Sequence, residues 1–214
     1  MSLRETATYR LTLFLSLITI SIILVDRPLA IFINNHLTAL EQPFRQILSG
    51  IEFLSDFPIS RYLVAALVLI TGLLLLIRDK TSQRAKFFFF IGATLASSRV
   101  VTGVLKIVFG RTRPYDFIED QSLSDFFCAG GNSFPSGHAT NYFGFFLPLM
   151  VLFPRYKGAL LVIPAFVALQ RVVVNDHYLS DVLAGILIAS LMTLLFQRVF
   201  QLSSLQNQKS KIEN

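Results

Sequence analysis

RDKTSQRAKFFFFIGATLASSRVVTGVLKIVFGRTRP, residues 78–114, decides the architecture expected of this chain. Four cations, Arg78, Lys80, Arg84 and Lys86, crowd its first nine positions. An apolar run follows from Phe87 to about Phe109, with Arg99 and Lys106 in its far half, and then a second basic group, Gly110 to Pro114. Such a run covers the roughly 30 Å of bilayer hydrocarbon at about 1.5 Å of helix per residue. Lys and Arg collect in cytoplasmic loops, so the 78–86 loop is expected inside and the end bearing Lys106, Arg111 and Arg113 outside.

The rest of the chain extends this pattern. Hydrophobic residues make up 53% of the 214, charged residues only 15%, and mean hydropathy is +0.61, which favours a membrane protein over a soluble domain. Further spans are predicted over Leu11–Val25, about Ile59–Ile77, His138–Phe153, Gly158–Val174 and Val182–Val199. Between Asp26 and Phe57 the polar residues Asp26, Asn34, Asn35, Glu41 and Pro43 interrupt the apolar pieces, which reads as an exposed connection with an interfacial helix. The expected fold is all-α: one domain over 1–200, an integral bundle of six transmembrane helices, with a polar cytoplasmic tail at 201–214. No cleavage site follows the first run, so it is read as a retained helix rather than a signal peptide.

Six spans with both ends cytoplasmic place Arg4, Arg10, Arg78, Lys80, Arg84, Lys86, Arg155, Lys157, Arg198, Lys209 and Lys211 inside, 11 of the 19 basic residues. The net charge of +6 is therefore a matter of topology, and the dispersed cations give no stripe for nucleic acid. A single cysteine, Cys128, excludes an internal disulfide. The expected location is the inner, or plasma, membrane.

Three short blocks then fall on the outer side: KIVFGRTRP (106–114), PSGH (135–138) and RVVVNDHYLSD (171–181). Lys106, Arg113 and Arg171 are three cations near one hydrocarbon boundary, costly without an anion to balance them. Arginine forks bind phosphate oxygens in pairs. In PSGH, Pro135 and Gly137 permit a tight turn, and the Ser136 hydroxyl with the first amides of the following helix suits an anion. His138 beside it is placed to act as a general acid. His177 and Asp181 are four apart and share a helix face, so the carboxylate can accept the imidazole N–H and leave the other nitrogen to attack phosphorus. The set suits phosphate-ester cleavage.

With these spacings, six residues between Lys106 and Arg113-Pro114, then Pro135-Ser136-Gly137-His138, then five residues between Arg171 and His177 and three between His177 and Asp181, the chain resembles the type 2 phosphatidic acid phosphatase (PAP2) superfamily. The resemblance implies a membrane lipid phosphatase. It makes His177 the nucleophile that forms a phosphohistidine, Asp181 its orienting group and His138 the donor to the leaving group. Lys106, Arg113, Ser136, Gly137 and Arg171 would bind phosphate, with no metal or other cofactor. One departure is Gln170, where the family usually has Ser. Family substrates include phosphatidylglycerol phosphate, undecaprenyl diphosphate, phosphatidic acid and lipid A phosphates, and the motifs do not separate them.

Two arginines outside these roles are candidate supporting residues. Arg99 lies two helical turns before Lys106, and Arg111 either touches substrate or meets lipid headgroups. Asp176 is ranked far below Asp181, since it points elsewhere on a helix. A metal site from His138, His177, Asp181 and Cys128 is disfavoured by the surrounding cations. A non-hydrolytic lipid-phosphate binding or transport protein is the alternative, which would not need the His138, His177 and Asp181 set. A soluble haloperoxidase with a similar anion pocket is disfavoured by the apolar spans. No obligate protein partner is evident; the expected partners are the bilayer and a lipid phosphate.

Overall fold

A carboxylate in an apolar run ordinarily ends a membrane helix, yet here the helix passes through one. The computed structural model describes residues 3–55, 63–79, 82–120 and 127–200. In it α1 (Leu3–Ile20) runs into a π turn at Ser21–Val25 and continues as α2 (Asp26–His36). The Asp26 N–H donates to the Ser21 carbonyl, the i to i+5 bond of a π turn, which lets the helix add a residue without breaking. The apolar helical segment is thus Leu11–His36, 26 residues, rather than the shorter run expected. Asp26 is 1% exposed, which corrects its reading as a loop residue.

Among the described residues seven further α-helices follow: α3 (Thr38–Ser55), α4 (Leu63–Arg78), α5 (Gln83–Phe109), α6 (Pro114–Glu119), α7 (Gly137–Leu152), α8 (Lys157–Val173) and α9 (Leu179–Val199). Ser82 caps α5 by accepting from the Ala85 N–H at 3.4 Å. Pro114 opens α6, where its missing N–H costs nothing. The described residues contain no strand. Among them, four helical segments are long and apolar enough to cross a membrane: Leu11–His36, Gln83–Glu119, Pro154–Val173 and Leu179–Val199. α4 and α7, at 16 residues each, reach about 24 Å and fall short of that length. Part of the second expected span, 59–62, and the 201–214 tail lie outside the described residues.

α7 packs against α5, α8 and α9, and α4 lies on the outside of α5. Ala139 and Phe143 of α7 meet Ala168 of α8 and Val182 and Ala189 of α9. Lipid tails are as apolar as Leu, so helices associate in a membrane by close approach of small residues rather than by hydrophobic exclusion. Gly185 of α9 is the tightest case: a Cβ there would lie 2.8 Å from the Ser136 carbonyl and 2.9 Å from Thr140 Oγ1. Large apolar side chains cover the outside instead, with Ile107 86% exposed and Ile77 72%.

The helix order gathers chemistry at one end. α5 finishes, α7 begins, α8 finishes and α9 begins there, so all three blocks meet. The basic turns between α4 and α5 and between α7 and α8 lie at the other ends of α5 and α7.

Candidate active site

Gly110 ends α5 in the left-handed region (φ +47°), with its N–H on the Lys106 carbonyl. The chain then returns and laces alongside residues 109–111, running in the same direction. Cys128 and Ala129 N–H donate to the Phe109 and Gly110 carbonyls at 2.8 and 2.9 Å, and Ser133 N–H to the Arg111 carbonyl at 2.9 Å. Gly131 makes this possible, since a Cβ there would stand 2.2 Å from the Arg111 carbonyl oxygen. The lacing delivers Asn132 and Ser133 to the site. Lys106 Nζ donates to the Asn132 carbonyl and Arg113 Nε to Asn132 Oδ1 at 2.9 Å, so Asn132 spaces two cations.

The N-termini of α7 and α9 are joined directly. Ser136 caps α7, accepting from the Ala139 N–H on its hydroxyl at 3.4 Å and donating its own N–H to the Asp181 carbonyl at 2.9 Å. Gly137 and His138 are the first two residues of that helix, and a Cβ on Gly137 would lie 3.8 Å from Lys106 Cε. PSGH, Lys106 and the start of α9 therefore share one wall.

Asp181 stands at the third position of α9 and is wholly buried. Its Oδ2 accepts from Ser133 Oγ at 2.5 Å and the Tyr178 N–H at 2.9 Å, and faces His177 Nδ1 at 3.4 Å. Its Oδ1 accepts from Arg111 at 2.5 Å. A buried polar network with every acceptor occupied holds one geometry. His177, in the turn before α9, is 2% exposed, and its N–H bonds the Arg171 carbonyl at 3.0 Å. Burial pushes the imidazole down from 6.5 to about 4, against the upward pull of Asp181 and with the help of the Lys106 and Arg171 charges. Near pH 7 the ring is neutral, with Nδ1 toward the carboxylate and Nε2 directed away from it.

Arg171 is held by Asp176, which also takes Arg45 of α3 at 3.1 and 3.3 Å. Asp176 is thus an ion-pair hub rather than a bystander. Its low rank came from placing it on a helix, and residues 174–178 form a turn. Arg111 is neither at a headgroup surface nor exposed to substrate: it is completely buried, with Tyr178 and Phe127 rings 4.2 and 4.9 Å from its guanidinium carbon. Arg99 lies about 10 Å down the α5 axis from Lys106 and is half-buried. Cys128 is exposed, and no group of three or more metal-ligating side chains occurs among the described residues.

The PAP2 superfamily domain matches residues 87–204, more than half of the chain. The chain belongs to the PAP2 superfamily. This PAP2 chain is 33% identical over 162 residues to a lipid A 1-phosphatase of Rhizobium johnstonii, covering 70% of the chain and 66% of that protein. It is equally similar to a lipid A 1-phosphatase of Rhizobium etli, over 70% of the chain and 69% of that protein. It is 32% identical over 122 residues to the putative undecaprenyl-diphosphatase YbjG of Escherichia coli, over 56% of the chain and 60% of that protein. The chain thus spans about two thirds of the length of these relatives. No solved structure matches it significantly.

Five contributors to this PAP2 site escaped the sequence reading: Asp26, Arg45, Asn132, Ser133 and Ser180. The GGNS run at 130–133 carried a signal, because paired glycines beside polar residues mark close backbone approach. Asp26 carried a fainter one, a lone carboxylate in an apolar segment, whose partner lies 85 residues away.

Proposed function

We propose that this protein is a metal-independent membrane lipid phosphatase that works through a phosphohistidine on His177. The observation that carries the reading is a buried His177 with Asp181 3.4 Å from its Nδ1; burial favours the neutral ring, and the Lys106 and Arg171 charges act in the same direction. The phosphate group sits among Lys106, Arg113, Arg171, the Ser136 hydroxyl and the Gly137 amide. His177 Nε2 attacks phosphorus, the P–O bond to the lipid breaks, and His138 gives that oxygen a proton. The imidazole becomes cationic as the P–N bond forms, and Asp181 balances that charge. Water then attacks phosphorus with His138 as base, releasing inorganic phosphate and restoring neutral His177.

In this reading α4 and α7 also cross the bilayer, giving six spans in the inner membrane. Both ends of the chain are cytoplasmic and the site faces outward, since the blocks lie opposite the basic α4–α5 and α7–α8 turns. Lipid A bearing a 1-phosphate is the first substrate to test, because two relatives carry that name, and undecaprenyl diphosphate is the second.

Purified protein in detergent is expected to release phosphate from such lipids in EDTA, and His177→Ala to abolish release. Inhibition by chelation, or an active His177→Ala, counts decisively against the proposal. An acid-labile phosphoryl group trapped on His177 separates it from mere lipid-phosphate binding.

A further inference from the structure

Asp26 lies in the first apolar helical segment, outside the matched family domain at 87–204. Among the described residues its carboxylate accepts from Arg111 at 2.7 Å, the Ser180 hydroxyl at 2.5 Å and the Ser180 N–H at 3.1 Å. In each of these contacts the carboxylate is the acceptor. Arg111 in turn divides its arms, one amino group on Asp26 and the other on Asp181 Oδ1 at 2.5 Å and on Ser180 Oγ at 2.7 Å. Arginine is always protonated, so the buried group is one cation between two carboxylates, with a sum of one negative charge.

That sum matters for His177. Were Arg111 paired with Asp181 alone, both guanidinium arms could close on one carboxylate, cancel its charge and occupy both oxygens. The His177 Nδ1–H would then face a neutral pair, and a positive phosphoimidazole would have nothing to balance it. With Asp26 holding the second arm, Asp181 keeps Oδ2 for His177, Ser133 and the Tyr178 N–H, and keeps net negative charge beside the ring.

We propose that Asp26 is a positioning residue of the hydrolytic site, acting through Arg111 to keep the buried charge beside His177 net negative and Asp181 correctly oriented toward the ring. The inference rests on the proposed phosphohistidine reaction. That reaction is tested separately by wild-type phosphate release and its loss in His177→Ala.

Asp26→Asn keeps the size and an acceptor oxygen while removing the charge. Outer hydrogen-bond partners of metal ligands typically contribute about 10- to 100-fold, and the same scale is expected for Asp26 acting through Arg111 and Asp181. The expected result in detergent-purified protein is a fall in kcat of that size on lipid A 1-phosphate or undecaprenyl diphosphate, whichever the wild type cleaves. KM is expected within about twofold, because no phosphate ligand is touched. A kcat within twofold of wild type, or a loss confined to KM, overturns the proposal. Should Asp26→Asn fail to fold, Asp26→Asn with Arg111→Met removes cation and counter-charge together, an exchange that buried ion clusters often tolerate. With net negative charge restored beside His177, kcat within tenfold of wild type supports the proposal. Activity as low as His177→Ala overturns it.

Discussion

Asp181→Asn is the sharpest perturbation of the proposed chemistry, because it removes one charge and almost no volume. The carboxylate lies 3.4 Å from His177 Nδ1. A unit charge at that distance, with an effective dielectric of about 20, interacts with a cationic imidazole by about 5 kcal/mol. The interaction is small while the ring is neutral and full once phosphorus is attached, so it lowers the barrier rather than strengthening binding. At about 1.4 kcal/mol per tenfold, kcat should fall by roughly 10³- to 10⁴-fold. Initial rates of phosphate release from the wild-type substrate measure this, with trapped phosphohistidine read in the same preparation. The Arg111 cation also loses its anionic partner on that side, so size-exclusion profile and melting temperature must accompany the rates. A folded Asp181→Asn protein losing less than tenfold in kcat would refute the idea that this carboxylate balances charge on His177.

Four further outcomes follow from the structure. His177 is held near 4, below the ordinary 6.5, so its nucleophilic form persists as pH falls through 6.5 and is lost near 4; single-turnover phosphoenzyme formation should show its acid limb near 4, and a limb near 6.5 contradicts the burial argument. By the same linkage, the unfolded chain takes up this proton first, so acidification from 6.5 to 4 should progressively cost about 3 kcal/mol of stability, a loss largely missing in His177→Gln. Gly131→Ala would force a methyl to 2.2 Å from the Arg111 carbonyl, and is expected to yield little folded protein or a melting temperature many degrees lower. Arg45→Ala frees one side of Asp176, and because the Arg45 side chain is 40% exposed only a three- to tenfold loss of kcat/KM is expected, shrinking at high salt in a titration of initial rates.

The candidate site was legible in part because its motif residues lie in three blocks with fixed spacing; the shared helix face expected of His177 and Asp181 is not found, since His177 lies in the turn before α9 and meets the Asp181 carboxylate from there. What supports them was not legible, because each support is a contact between segments remote in sequence. Arg45 reaches Asp176 across 131 residues and Ser133 reaches Asp181 across 48. Asp26 misled the reading for a definite reason: hydropathy treats a carboxylate as unpaired, whereas Arg111 and Ser180 supply the partners that make its burial tolerable.

By itself the sequence determined that the chain is helical and membrane-bound, because long apolar runs have no other way to satisfy their backbone in lipid. It also gathered Lys106, Arg113, Arg171, His138, His177 and Asp181 into three short blocks at the ends of apolar runs. Only the tertiary structure decided that Arg111 is an interior cation shared by Asp26 and Asp181, and that Asp176 clamps Arg171. The physical reason is that a buried charge takes its meaning from the groups within about 3 Å of it, and those groups are fixed by packing rather than by position along the chain.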